Sequence, residues 1–352
     1  MSALIFDLGG TFLRAAVVDG EQRITHVHKS RIPSVATGCT RDAIWETIAS
    51  RIVNYERTYG NLAERPSPMV IAFPAPVTDY CHAHQAATVA GNSKEHAGIA
   101  SLLEARTGRP VLLLNDVSAA AWRVAEITPY RRFLVVTVSS GIGSKMFIRE
   151  SGVVDDVPFG GEIGHVVVDH SPSAPGCDCG SHGHLGAVAS GRAVERLARR
   201  RALTDPLAFQ SSQLVAKYCA TPEWLTNEQH LVPAILNGDS WAFEILRTAT
   251  VPLAQVLLLI AVAAGLDRVF LMGGFAQAIG PLYLQLLRTL AKQSSRFDLA
   301  ETHIDSMFDF GPSTETICLE GCLSFLRQAR RLGLSDRLCK RDVRSVPVIA
   351  GA

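Results

Sequence analysis

Residues Ala3 to Gly20, ALIFDLGGTFLRAAVVDG, run through a short apolar stretch, a glycine-rich turn, a second apolar stretch and an Asp-Gly pair. The apolar stretches, Ala3 to Phe6 and Phe12 to Val18, read as two strands. Asp7 to Thr11 reads as the tight turn between them and Asp19-Gly20 as the next reversal. Such a hairpin gathers backbone N–H groups and the Thr11 hydroxyl at one tip. That tip can cradle a phosphate while Asp7 holds a magnesium ion through water. Taken alone, Gly9-Gly10-Thr11 in a hairpin is most often only a turn.

The pattern recurs. Phe133 to Gly152, FLVVTVSSGIGSKMFIRESG, repeats the apolar strand (Phe133 to Val138), the polar glycine turn (Ser139 to Gly143), the returning strand (Lys145 to Ile148) and the closing Ser151-Gly152 turn. Asp7 is separated from Gly20 by the same distance in sequence as Ser139 from Gly152. Two copies of one hairpin imply an internal duplication and two α/β lobes facing each other. Phosphate-gripping turns on opposite walls of a cleft suit a nucleoside triphosphate. The chain contains no GxxxxGK[ST] sequence, which excludes a P-loop enzyme.

Between the copies, the pattern predicts a helix over Thr40 to Tyr59, a strand at Met69 to Phe73, the turn Pro74 to Asp79, a helix over Ala97 to Thr107 and a strand at Pro110 to Leu114. Asn115 and Asp116 then stand where an apolar strand gives way to an alanine-rich helix. Asn and Asp are favoured helix N-caps, so one reading is purely local. The other is that strand C-termini face ligand crevices in α/β folds, where Asp116 could take the proton of an attacking hydroxyl. The two readings are compatible, one residue capping and the other reacting.

After the second hairpin comes Gly160 to Gly191, GGEIGHVVVDHSPSAPGCDCGSHGHLGAVASG. So much Gly, Ser and Pro buries little apolar surface, and something other than a core must hold the segment. A tetrahedral zinc ion bound by His165, Cys177, Cys179 and His184 would supply the ordering energy. His182 is an alternative fourth ligand. The plainer reading is two free thiols and some surface histidines, but four ligand side chains within twenty-odd residues favour the metal. Downstream, Arg192 to Arg201 reads as a helix whose arginines form a solvated face. Further helices follow over Ser211 to Tyr218, Asn227 to Asn237 and Asp239 to Gly265. The strand Asp267 to Met272 runs into Gly273-Gly274, a turn that lets a flat base such as adenine approach the backbone.

Composition sets outer limits. The 352 residues allow two domains, and 47% hydrophobic residues provide for a sizeable core. A formal net charge of +1 offers no electrostatic case for nucleic acid or an anionic membrane. Eight cysteines with one close pair read as reduced thiols plus a metal site, not a disulfide scaffold. The longest apolar run, Val256 to Leu266, is shorter than the roughly 18–20 residues a bilayer requires. No signal peptide is expected ahead of Asp7, and the chain reads as soluble and cytoplasmic.

With these pieces in place, the chain resembles the ROK family of bacterial sugar kinases and repressors. The likeness runs from the DLGGT at Asp7 to the Gly-Gly turn at Gly273. Its most specific part is ExGH at Glu162 to His165 followed by CxCGxxG at Cys177 to Gly183. The resemblance implies an actin-like (ribonuclease H-like) ATPase fold with an interlobe cleft, ATP with magnesium, a structural zinc beside the sugar pocket, and a homodimer. It implies an N-terminal lobe over 1–118, a C-terminal lobe over 119–315 carrying the zinc loop 160–191, and a helix over about 316–334 packing back on the first lobe. Read from the residues, Gly321 allows that helix (Thr316 to Arg331) to pack closely, and the tail over 335–352, mixed in charge, is poorly ordered. By the same resemblance Asp116 is the catalytic base and Asn115 a sugar-hydroxyl ligand. Glu162 grips substrate hydroxyls, and His165 binds zinc while facing the sugar. Gly9, Gly10 and Thr11 with Asp7, and Ser140 with Gly141, hold phosphates and magnesium. Gly273 and Gly274 lie at the adenosine.

Two departures bear on the substrate. The usual family motif is CxCGxxGCxE; here His184 replaces the third cysteine and Gly186 the glutamate. Histidine can still ligate zinc. The glutamate helps family members hold hydroxyls at the reducing end of a hexopyranose, which Gly186 cannot do. A cyclitol of the valiolone type, with an exocyclic CH2OH and no ordinary anomeric centre, therefore fits better. Ser118 and Ala75 replace the family's usual asparagine and glycine near the same pocket. The alternatives are an ordinary hexose kinase (a glucokinase or N-acetylmannosamine kinase) and a sugar-sensing protein without catalysis. A DNA-binding repressor would need a helix-turn-helix domain ahead of Asp7, for which a handful of residues is too short.

Overall fold

The computed structural model describes residues 2–33, 38–63, 67–84, 86–91, 98–154, 159–295 and 301–331. The expected 335–352 tail lies outside the described residues. Ala3–Leu8 forms β1 and Phe12–Val18 forms β2, with β3 at Ile24–Arg31, β4 at Met69–Phe73, a small hairpin of β5 (Val77–Thr78) and β6 (His82–Ala83), and β7 at Val111–Asn115. The later strands are β8 (Arg132–Val138), β9 (Ile142–Ile148), β10 (Gly152–Val153), β11 (Arg268–Met272) and β12 (Phe308–Phe310).

Two five-stranded sheets result, ordered β3-β2-β1-β4-β7 and β10-β9-β8-β11-β12. In each, the first hairpin is antiparallel and the two later strands add parallel: β1 pairs β2 antiparallel and β4 parallel, and β8 pairs β9 antiparallel and β11 parallel. The duplication read from the two hairpins is thus a duplication of whole sheets. The second turn is tighter than expected. Val138 pairs with Ile142, so β9 starts three residues ahead of Lys145 and the turn proper is Ser139–Gly141, closed by the Ser139 N–H on the Gly141 carbonyl at 3.0 Å.

The parallel strands β4 and β7 are buried along their whole length, as sheets covered on both faces require. The helices Arg41–Tyr59 and Ile99–Thr107 close one face of the first sheet. In the other lobe the helix Ser240–Ala264, long and apolar enough to cross a membrane, contributes a buried face from Ala242 to Ala261 to the core, against the helix Pro281–Ser294.

A third core lies between the sheets. It joins Ile5, Val70 and Leu114 of the first to Phe133, Phe147 and Phe270 of the second, through the helices Asp116–Ile127 and Ile317–Arg331. Trp122, fully buried, meets Phe147 edge-on at 5.1 Å and Phe325 at 5.5 Å. The two helices cross closely because Gly321 has no side chain: a Cβ there would sit 1.9 Å from the Ala119 carbonyl oxygen. The Ile317–Arg331 helix also contacts β1 and β4, and the boundary expected at residue 118 falls inside the Asp116–Ile127 helix.

Candidate active site

The carboxylates gather where β1 and β7 end. Asp7, at the C-terminal part of β1, is almost fully buried, and Arg14 of β2 reaches its Oδ2 with Nη1 at 3.0 Å. Burial raises the Asp7 pKa above its ordinary value, and the Arg14 guanidinium opposes that rise. The turn that follows is closed by the Gly9 N–H on the Phe12 carbonyl at 2.9 Å, leaving Gly10 and Thr11 exposed at the tip.

Asn115 and Asp116 divide their work. The Asn115 Oδ1 accepts the N–H groups of Val117 at 3.0 Å and Ser118 at 3.3 Å, capping the Asp116–Ile127 helix, and its Nδ2 donates to the Ala75 carbonyl at 3.0 Å. The capping role is therefore occupied by Asn115, with one amide N–H uncommitted among the described residues. Asp116 accepts the Val117 N–H on Oδ1 at 2.8 Å, while among the described residues its Oδ2 accepts no bond from another residue. Burial pushes the Asp116 pKa up to about 6, the Val117 N–H pulls it down, and the charges of Asp7 and Glu162 raise it further. A carboxylate with one bound and one open oxygen, poised near neutrality, is suited to accepting a proton from a hydroxyl.

Glu162 reaches this cluster because the Gly160–His165 stretch lies directly on β9. The Ser144 hydroxyl donates to the Gly161 carbonyl at 2.8 Å and Lys145 Nζ to the Gly160 carbonyl at 2.7 Å. A Cβ at Gly161 would lie 2.0 Å from the Ser144 carbonyl oxygen and one at Gly164 would lie 2.2 Å from that of Ile142. Only glycine permits backbone to rest on backbone here.

His165, Cys177, Cys179 and His184 converge, one ligand atom from each lying within 4.8 Å of all the others. The Nδ1 atoms of His165 and His184 are 3.4 Å apart, and Cys179 Sγ is 3.3 Å from His184 Nδ1. Two sulfurs and two ring nitrogens so disposed form a donor set that fits a tetrahedral divalent ion. His182 is outside this group, its backbone bridged to Gly176. Gly186 backs onto the same segment, with a Cβ there meeting the Gly164 carbonyl oxygen at 3.2 Å.

On the second lobe, Ser140 and Gly141 form the tip of the β8–β9 turn. Gly273, with φ of +95°, crosses the end of β8 so closely that a Cβ would lie 2.6 Å from the Val138 carbonyl oxygen. Gly274 beside it is exposed.

Sequence reasoning missed three residues. Arg14 pairs with Asp7. Cys318 directs its thiol at the Asp116 carbonyl at 3.7 Å, and burial together with the charges of Asp7 and Asp116 keeps it a neutral thiol. Arg192 is exposed, as expected of a solvated face, and also donates Nε to the Ser140 carbonyl at 2.8 Å. Arg196 and Arg199 likewise donate to the carbonyls of Ala187 and Leu225, while Arg196, Arg200 and Arg201 stay exposed and Arg199 is half-buried. An arginine spaced for a helix surface carries no local sign of a distant carbonyl partner.

The ROK family model matches residues 4–307 of this chain. The chain belongs to the ROK family. A C(7)-cyclitol 7-kinase of Streptomyces hygroscopicus subsp. jinggangensis is 36% identical over 327 residues, covering 90% of this chain and 92% of that protein. A glucokinase of Streptomyces coelicolor is 28% identical, over 82% of this chain and 86% of its own. Among solved structures, a ROK hexokinase from Thermus thermophilus superposes with a TM-score of 0.70 at 24% identity, over 94% of this chain and all of that one. The two duplicated sheets with helices between them are thus the actin-like fold of this ROK protein.

Proposed function

We propose that this ROK protein is an ATP-dependent kinase that phosphorylates the exocyclic CH2OH of a C7 cyclitol of the valiolone type. The observation that carries the substrate reading is Gly186. At the position where the family motif has a glutamate, this chain has no side chain, and its Cα faces the Gly164 carbonyl beside the Glu162–His165 segment. No carboxylate stands there to hold an anomeric hydroxyl. The likeness to the cyclitol 7-kinase over 90% of the chain supports the same reading.

In this scheme the substrate hydroxyl lies against the open Oδ2 of Asp116, which takes its proton as the oxygen attacks the γ-phosphate in line. Burial, reinforced by the charges of Asp7 and Glu162, raises the proton affinity of Asp116, making it a stronger base than an exposed aspartate. Glu162 and the free N–H of Asn115 orient the ring hydroxyls. The turns at Gly9–Thr11 and Ser140–Gly141 present donors to the phosphates, and Gly273-Gly274 leaves room for the base. Asp7 would hold magnesium, which when bound would neutralise charge on the transferring phosphoryl group. His165, Cys177, Cys179 and His184 would hold zinc, whose chemistry here is structural.

A cytoplasmic setting is consistent with the cysteines, none of which is paired in a disulfide among the described residues. A homodimer, as the family resemblance implies, belongs to the same reading.

The test is ATP consumption over glucose, mannose, N-acetylmannosamine, fructose and C7 cyclitols, with Asp116→Ala as blank. Turnover confined to a cyclitol supports the proposal. Glucose turned over as efficiently as any cyclitol would make the protein an ordinary hexose kinase and refute the role given to Gly186. Gly186→Glu should open activity on hexose if that role is right.

A further inference from the structure

A groove of about 420 Å³ lies on the back of the first sheet, between the helix Arg41–Tyr59 and the strands β2 and β3. Its floor is Leu13 and Ala15 of β2, which alternate along that strand with Phe12 and Arg14. Arg14 faces Asp7 and the candidate active site, so the groove opens on the opposite face and shares none of that site's residues. Its far end is aromatic, with the rings of Tyr55 and Tyr59 meeting at 4.8 Å between centres. A bulge shapes this end. Opposite Ala16, β3 carries one residue more than β2, since His28 pairs with Ala15 and Thr25 with Val17. His26, within the bulge, takes a φ of +51°, left-handed for a residue that is not glycine. The Tyr55 hydroxyl holds it there by donating to the His26 carbonyl at 2.7 Å. Strain of this kind persists where the surroundings over-determine it, and it gathers at ligand clamps.

The rim supplies a charge that the protein itself does not neutralise. Arg51 is half-buried on the helix and lines the groove, yet among the described residues its guanidinium has no hydrogen bond or ion pair. Other arginines of this lobe are matched, Arg106 by Glu46 and Arg109 by Glu56. Among the described residues no carboxylate lines the groove, and its remaining polar groups include the Ser30 hydroxyl and the Asn54 amide. An apolar floor, an aromatic end and one uncompensated cation are complementary to a molecule with a flat apolar body and one anionic group. A guanidinium accepts carboxylate and phosphate alike, because both offer paired oxygens to its planar fork.

We propose that this groove is a second ligand site, distinct from the interlobe cleft, for a small aromatic carboxylate or phosphate. The ring of the ligand lies over Leu13 and Ala15 toward Tyr55 and Tyr59, and its anionic group meets Arg51, with Asn54 and Ser30 as further donors. Recognition requires both parts of the molecule. A ring without the charge leaves the guanidinium unpaired, and a charge without the ring leaves the floor wet. The inference stands apart from the kinase reading, because the groove residues belong to neither phosphate turn and binding alone is measured.

The experiment measures binding of phenyl phosphate and of benzoate to the full chain by calorimetry, with phenol and inorganic phosphate as controls. Wild type, Arg51→Met, Asn54→Trp and Thr11→Ala are compared, each first shown by its melting curve to be folded. Asn54 is exposed on the helix, so an indole placed there fills the groove without removing a buried contact. At least one of the two aryl anions should bind wild type, and the tighter of them identifies the head group. Arg51→Met should weaken that binding about tenfold or more. Asn54→Trp should abolish it with Arg51 still in place. Thr11→Ala, altered in the phosphate turn of the cleft, should bind as wild type does. Wild type that binds neither aryl anion overturns the proposal. So does equally tight binding of phenol or of inorganic phosphate, or binding unchanged in Arg51→Met or in Asn54→Trp. Binding lost in Thr11→Ala would place the probe in the cleft and overturn it as well.

Discussion

Asp116→Asn should produce a protein that is inactive and yet more stable near neutral pH. The folded protein holds the Asp116 carboxyl with a pKa of about 6 in place of the ordinary 3.8, because burial and the charges of Asp7 and Glu162 disfavour ionisation. Between those two values the native state binds more protons than the unfolded chain, so stability falls as pH rises through that window. Above it the full shift is felt, which at 1.36 kcal/mol per pH unit is about 3 kcal/mol of destabilisation. Asparagine keeps the size and the Oδ1 that accepts the Val117 N–H at 2.8 Å, but never ionises. It should therefore gain about 3 kcal/mol at pH 7.5 and almost nothing at pH 4. Urea unfolding of both proteins at the two pH values, without nucleotide or added metal, gives the difference directly. An equal effect at both pH values, or a less stable variant at pH 7.5, would refute the argument that the native fold strains to hold this charge. Loss of the proton acceptor should lower kcat by about 100- to 10,000-fold.

The same electrostatics predict an acid limb in kcat/KM near pH 6, since only ionised Asp116 accepts a proton; Glu162→Gln should move that limb to lower pH, and a limb that stays put would remove Glu162 from the cluster. His184→Ala should lose bound zinc while His182→Ala keeps it, read as metal content after gel filtration. Gly321→Ala places a methyl 1.9 Å from the Ala119 carbonyl oxygen, and overpacking of this kind should cost about 3 kcal/mol and lower the melting temperature. A wild-type melting curve would mean that the two helices separate freely.

Much of the fold was legible because it was written twice. The hairpins at Asp7 and Ser139 share spacing and composition, and repetition is evidence that a single Gly-Gly turn cannot supply. The four metal ligands were legible for a similar reason, being crowded into a loop rich in Gly, Ser and Pro. Gly321 was legible as a close-packing position, but Gly161 and Gly164 mark backbone contacts with β9 that the sequence did not disclose. Arg14 stands directly across the β1–β2 hairpin from Asp7, a pairing decided by strand register, whereas the partners of Arg192 and Cys318 are set by tertiary packing. Arg192 lies 52 residues from Ser140 and Cys318 lies 202 from Asp116, and no periodicity links such positions. The capping and reacting roles at Asn115 and Asp116 could be paired in advance, but only the hydrogen bonds assign Asn115 to the cap and leave Asp116 with an open oxygen.

The helix Ile317–Arg331 fills the space between two sheets that precede it in the chain. During synthesis, β1 must wait for this helix while the intervening chain emerges, roughly 15–60 s at about 5–20 residues per second. Until then β1 and Trp122 have no cover on the side this helix occupies. The ribosome therefore releases each lobe before the seam that joins them can close. A chain interrupted ahead of Ile317 would carry both phosphate turns and every metal ligand and still lack a formed cleft. Such an intermediate is the form of this protein on which chaperones and proteases would be expected to act.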